Sequence, residues 1–142
     1  MSGLNCCDYM GVNFKHLKPE EAKIFQRALD KGLFKGSLEF DVHVGEGFHE
    51  NHDPPCTTAC DDFRMLTQKR IDAVERTPSG ISIIEITPRL SSRALGQLLC
   101  YRDCYSRMFP SGLPIKLYAV VSETDKDLEA TFKHYQIEII IA

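Results

Sequence analysis

From Lys18 to Lys31 the apolar residues Ala22, Phe25, Ala28 and Leu29 recur at helical spacing, with Pro19 and two glutamates in the first turn and Gly32 just past the end. The period then changes. Leu38, Phe40, Val42 and Val44 alternate with Glu39, Asp41 and His43, which predicts a strand with one wet face. Residues 45–62 have no period, and their glycines, prolines, histidines and acids predict a long loop. A second strand is expected around Arg70 to Glu75, a turn at Thr77-Pro78-Ser79-Gly80, and a third strand from Ile81 to Ile86, so that the last two form a hairpin. Ser91 or Ser92 can cap a helix that runs to about Met108 with Ala94, Leu95, Leu98, Leu99 and Tyr101 inward, until Pro110, Gly112 and Pro114 stop it. A mostly apolar strand at Ile115 to Val121, a short helix near Asp125 to His134 and a last strand at Ile137 to Ile141 complete the chain. This order predicts a mixed α/β or α+β architecture, a central sheet with helices packed on it.

With 142 residues, 43% of them hydrophobic, and no repeat or linker, the sequence predicts one domain over residues 1–142. The formal charge of -3 gives no global attraction for nucleic acid, so any contact with phosphates must come from a local basic patch. The amino terminus, Met-Ser-Gly-Leu-Asn-Cys-Cys-Asp, lacks the basic and apolar regions of a signal peptide, and no apolar run approaches the roughly 18 residues of a membrane span. The expectation is a soluble intracellular protein without a membrane partner, whose six cysteines are reduced thiols.

Within Ile83-Ile84-Glu85-Ile86-Thr87-Pro88 a carboxylate is set into an apolar strand, where glutamate is rarely buried without a partner. The hairpin brings Asp72 on the incoming strand towards Glu85 on the outgoing one. Two nearby carboxylates repel, and a hard divalent cation such as Mg²⁺ or Mn²⁺ relieves them, leaving positions for water and a substrate phosphate. The ordinary alternative is a pair of exposed strand acids matched with Arg70 or Arg89.

Arg70-Ile71-Asp72-Ala73-Val74, then Ile83-Ile84-Glu85-Ile86-Thr87-Pro88, then Gly96-Gln97-Leu98-Leu99-Cys100-Tyr101 together resemble the core of the PD-(D/E)XK nuclease superfamily, and the Gln-x-x-x-Tyr element is similar to that of its RecB-like branch. The motifs cover about a third of the chain, and the rest agrees in element order with the restriction-endonuclease-like αβββαβ core. The resemblance implies that Asp72 and Glu85 are the metal-binding acids, that the carbonyl of Ile86 completes the inner ligands, and that Gln97 and Tyr101, on one helical face, lie over the site. Glu20 and Glu21 are candidates for the helical acid. Glu21 is preferred because Phe25 and Ala28 lie on its side of the helix, although both glutamates also suit the positive end of a helix dipole.

Thr87 departs from the motif, which has lysine at that position, on the same strand face as Glu85. Losing such a charge commonly costs on the order of a hundredfold to a thousandfold in rate. Arg93 lies on the same helical stripe as Gln97 and Tyr101 and could reach a phosphate or be an ordinary solvated residue, whereas Lys69 is expected to point away from Asp72. The loop at 45–62 holds His49, His52, Cys56 and Cys60, a possible Zn²⁺ set or simply polar loop residues. Cys100 and Cys104, one helical turn apart, are expected to pack.

The resemblance therefore implies a nuclease that hydrolyses the phosphodiester bonds of DNA with Mg²⁺ or Mn²⁺. The alternative is a catalytically inactive nuclease-fold protein that binds DNA or serves as a structural component. The compact motif set is similar to small phage-encoded proteins, which implies a homo-oligomer or an assembly partner in a viral particle or packaging apparatus, in the host cytoplasm or on the virion.

Overall fold

The computed structural model describes residues 16–48 and 58–142. Its elements are α1 (Pro19–Asp30), β1 (Ser37–Val44), α2 (Thr58–Thr67), β2 (Lys69–Thr77), β3 (Gly80–Arg89), α3 (Ser92–Met108), β4 (Ile115–Glu123), α4 (Lys126–His134) and β5 (Ile137–Ile141). The strands form one five-stranded sheet in the order β1-β2-β3-β4-β5. The first three are antiparallel neighbours, and β4 and β5 run parallel to β3. The fold is α+β, a mixed sheet flanked by helices. No described helix is long and apolar enough to cross a membrane.

Strand alternation divides the core into two layers. Ile81 and Ile83 of β3 pack with Leu117, Ala119 and Val121 of β4 beneath Ala94, Leu98, Tyr101 and Tyr105 of α3 and Phe132 of α4. Ile84 and Ile86 point the other way, where they meet Val120 and the Ile24, Phe25, Ala28 and Leu29 face of α1. The interleaved parity of Ile83, Ile84 and Ile86 is why the run looks continuously apolar, and Glu85 shares the α3 side with Ile81 and Ile83.

Two sequence expectations need correction. Residues 58–62, read as the end of a loop, are the start of α2. Among the described side chains of that helix the large apolar residues Phe63, Met65 and Leu66 are all exposed, so they form no buried stripe. Its carboxyl end is pinned to the end of β1 by Thr67 Oγ1, which accepts from Phe48 N at 2.7 Å and donates to Phe63 O at 2.9 Å. Gly47, with φ of 68°, passes so close that a Cβ would strike the Arg64 carbonyl.

The second correction concerns β1, which has no single wet face. Leu38 and Phe40 pack on the α1 side, whereas Val42 and Val44 pack on the α3 side. Asp41 causes the inversion by adopting a left-handed conformation, φ 54°, which aspartate tolerates better than most residues. Its carboxylate is held by a bidentate pair with Arg70 at 2.6 and 2.7 Å. The neighbouring strand changes face at the same level, for Ile71 packs on the α3 side and Ala73 on the α1 side. Asp72 stands at that inversion.

Candidate active site

The β2–β3 ladder pairs Ala73 with Ile84, and one step further Asp72 and Glu85 come together. There the amide of Ile86 donates to Asp72 Oδ2 at 2.9 Å, which fixes the carboxylate. The Asp72 backbone carbonyl lies 3.0 Å from His16 Nε2, a tether from the segment before α1. The two carboxyls are within hydrogen-bonding reach of one another. Glu85 is only 8% exposed, and its Oε2 has no hydrogen-bond partner.

Burial, above all, raises both acids: Asp72 to about 6, against the opposing hydrogen bond from Ile86, and Glu85 to about 9, with the neighbouring Asp72 charge adding to the effect. The pair therefore retains a proton at neutral pH instead of carrying two adjacent negative charges. The arginines that would make it an ordinary surface ion pair are elsewhere. Arg70 is committed to Asp41, and Arg89 is exposed at the end of β3.

The remaining candidates, Tyr101 excepted, line a cleft of about 420 Å³ where the amino ends of α1 and α3 meet the carboxyl end of β3. Glu20 and Glu21 both line it, but only Glu21 contributes charge that raises both Asp72 and Glu85. Glu21 Oε2 also accepts from Lys18 N at 3.2 Å and so caps its own helix. Gln97 Nε2 donates to the Tyr101 hydroxyl at 3.3 Å. Burial is the main cause that holds the Tyr101 phenol up, followed by the nearby charges of Glu85 and Asp72, so this hydroxyl stays neutral in the neighbourhood of the pair. Arg93 lines the cleft and opposes the rise of Glu85. Ser91 N-caps α3 by accepting from Ala94 N at 3.2 Å, which positions Arg93 and Gln97 on the first turns.

Thr87 lines the same cleft, half-buried, with its hydroxyl turned to Arg89 O at 3.4 Å. Lys18, which the sequence marks only as the start of a helix, also lines it. Neither Lys18 nor His16 has a motif signal, since both come from a segment remote in sequence and reach the site only through the docking of α1 on the sheet.

Among the described residues no three His, Cys, Asp or Glu side chains converge closely enough to hold a metal between them. The candidate donors are thus two carboxylates and a backbone carbonyl. They are all oxygen, one carboxylate oxygen is buried without a partner, and the pair is repulsive when ionised, which fits a hard divalent cation that completes its shell with water or substrate. Of the proposed zinc donors, His49, His52 and Cys56 lie outside the described residues, and Cys60 falls in α2. Cys104 is buried in the α3 core layer and Cys100 is exposed, both as free thiols. No family model, curated protein or solved structure matches the chain.

Proposed function

We propose that the protein is a metal-dependent nuclease of the PD-(D/E)XK kind that hydrolyses phosphodiester bonds in DNA. The observation that carries this reading is the buried Asp72–Glu85 pair, with Glu85 Oε2 unpartnered beside a cleft large enough for a phosphodiester. A carboxyl buried for structural reasons alone would be expected to have its oxygens satisfied by the protein.

Asp72, Glu85 and the Ile86 carbonyl would hold Mg²⁺ or Mn²⁺. When bound, the ion supplies Lewis-acid activation of the phosphodiester and of its water nucleophile. The protein's own groups provide the positioning. Ile86 N fixes Asp72, the Gln97–Tyr101 hydrogen bond holds a neutral hydroxyl in the neighbourhood of the carboxylates, and Arg93 gives a protonated guanidinium for a phosphate oxygen. Glu21 adds negative charge that favours a cation at the pair.

Thr87 favours a second reading, in which the domain keeps its acids but not its activity and acts as a DNA-binding or structural component, homo-oligomeric or part of a viral assembly. Cleavage of plasmid and single-stranded DNA in Mn²⁺ or Mg²⁺ separates the two. The nuclease reading expects the protein to cut and Glu85→Ala not to cut. Cutting by Thr87→Lys alone would favour the inactive component, and cutting by neither would remove the nuclease reading.

A further inference from the structure

We propose that Lys18 supplies, from the amino end of α1, the positive charge at the scissile phosphate that Thr87 lacks. This rests on the nuclease reading and adds to it a specific catalytic residue.

The Lys18 backbone is anchored on every side. His16 bonds to the Asp72 carbonyl at 3.0 Å, Leu17 is buried at 7% exposure in the α1 core layer, and Pro19 fixes the first helical position. Lys18 N donates to Glu21 Oε2 at 3.2 Å. The residue lines the cleft with Thr87 and Glu85, and its exposed side chain forms none of the ion pairs found among the described residues. A fixed base with a free ammonium is what a phosphate-directed cation requires. The stem is flexible, the charge compact, and no protein carboxylate has to be displaced before substrate is met.

Arg93 is the other cation in the cleft, but its position differs. It stands on the first turn of α3, and its charge already acts on Glu85 and on Tyr101. It suits holding the substrate near the acid pair. Lys18 approaches from α1, alongside Glu20 and Glu21, and the lysine expected at position 87 would enter that same cleft from β3. The two positions open on one space, so a charge at either can serve one phosphate.

The test is a rescue cycle with plasmid cleavage in Mn²⁺ as the readout, using the full chain, Lys18→Ala, Lys18→Arg, Thr87→Lys, the double variant Lys18→Ala/Thr87→Lys and Glu85→Ala. Lys18→Ala should fall about a hundredfold to a thousandfold, the cost of losing one electrostatic group at a reacting phosphate, while its thermal melt stays that of the parent. Lys18→Arg should retain more rate than Lys18→Ala. Thr87→Lys should restore the Lys18→Ala background to within about tenfold of the parent, which loss of a merely structural side chain would not allow.

Cleavage by Lys18→Ala within about threefold of the parent, with Glu85→Ala inactive, overturns the role of Lys18 and leaves the nuclease reading intact. A loss in Lys18→Ala that Thr87→Lys does not restore also overturns it. If the parent is inert and only Thr87→Lys cuts, Lys18 is not a competent cation although the acid pair is. If neither cuts, the nuclease reading itself falls, and Lys18 with it.

Discussion

Glu75 and Glu85 stand on neighbouring strands, and each is 8% exposed. Glu75 is fully provided for by the protein: Gly36 N donates to its Oε2 at 2.9 Å, and Ser82 Oγ donates to its Oε1 at 3.0 Å. Glu85 has an acid for its neighbour, and one of its oxygens has no partner. Equal burial therefore conceals opposite chemistry. The first carboxyl closes a loop onto the end of β2, and the second keeps a buried oxygen that the protein does not satisfy. Burial alone does not single out a candidate functional acid, but burial together with an unpartnered oxygen and a like-charged neighbour does.

Activity gives the largest expected difference between the two acids. Glu85→Ala should lower Mn²⁺-dependent DNA cleavage by at least about a thousandfold, because it removes a ligand oxygen the ion cannot replace, whereas Glu75→Gln should keep cleavage within about tenfold. Plasmid nicking measured against time gives both rates.

Stability should reverse the order. Glu75→Ala leaves the Gly36 amide and the Ser82 hydroxyl without partners, at a cost of about 2–4 kcal/mol, while Glu85→Gln replaces a carboxyl that must hold a proton the unfolded chain has released and should be neutral or stabilising above neutral pH. Urea unfolding at pH 8 measures both. Gly36→Ala tests the Glu75 side from its partner. An added Cβ would lie 2.7 Å from the Arg76 carbonyl and 2.9 Å from Glu75 Cγ, so a loss of about 1–3 kcal/mol is expected.

The pH dependence has a definite sign. The folded state raises both Asp72 and Glu85, so it holds protons that the unfolded chain has already released. Their contribution to stability is present below the ordinary carboxylate range and is lost as pH rises through about 6 for Asp72 and about 9 for Glu85. The melting temperature of the metal-free protein should fall between pH 5 and pH 9, and Glu85→Gln should flatten that fall; melts across this range measure the slope. Saturating Mn²⁺ should also flatten it, since a cation favours the ionised pair. The smallest effect is expected on the α3 side of the site. Tyr101→Phe removes the 3.3 Å bond from Gln97 and should cost about 1 kcal/mol in urea unfolding.

Much of the fold was legible because its elements carry strong periods and clear stops. The α3 stripe, the β2–β3 hairpin and the parallel strands at the carboxyl end follow from alternation, a capping serine and turn residues. Two features were not legible. In α2 the apolar residues Phe63, Met65 and Leu66 are exposed, so among the described side chains they mark no core-facing stripe. The even alternation of β1 conceals an inversion at Asp41, since a backbone dihedral leaves no mark in a hydropathy pattern.

At the site, Asp72 and Glu85 could be paired from the hairpin and Gln97 with Tyr101 from their spacing on one helical stripe, whereas grouping the two pairs followed from the family resemblance. Glu21 could be preferred over Glu20 from the side of the helix that must face the sheet. His16 and Lys18 could not be placed, for their distance from Asp72 is settled only when α1 docks through Ile24, Phe25 and Ala28. The alternative pairing of the acids with Arg70 could be decided only from the fold. Arg70 turns to Asp41, whose unusual conformation brings its carboxylate within 2.6 Å.

The central claim, that Asp72 and Glu85 form a divalent-cation site, is tested most directly by titrating Mn²⁺ into the metal-free protein by isothermal calorimetry alongside Glu85→Gln and Glu75→Gln. The account predicts one tight site in the parent that is retained in Glu75→Gln and lost in Glu85→Gln, with proton release on binding at pH 7 because the pair must give up its shared proton. Equal Mn²⁺ affinity in the parent and in Glu85→Gln, or no binding to any of the three, would contradict it.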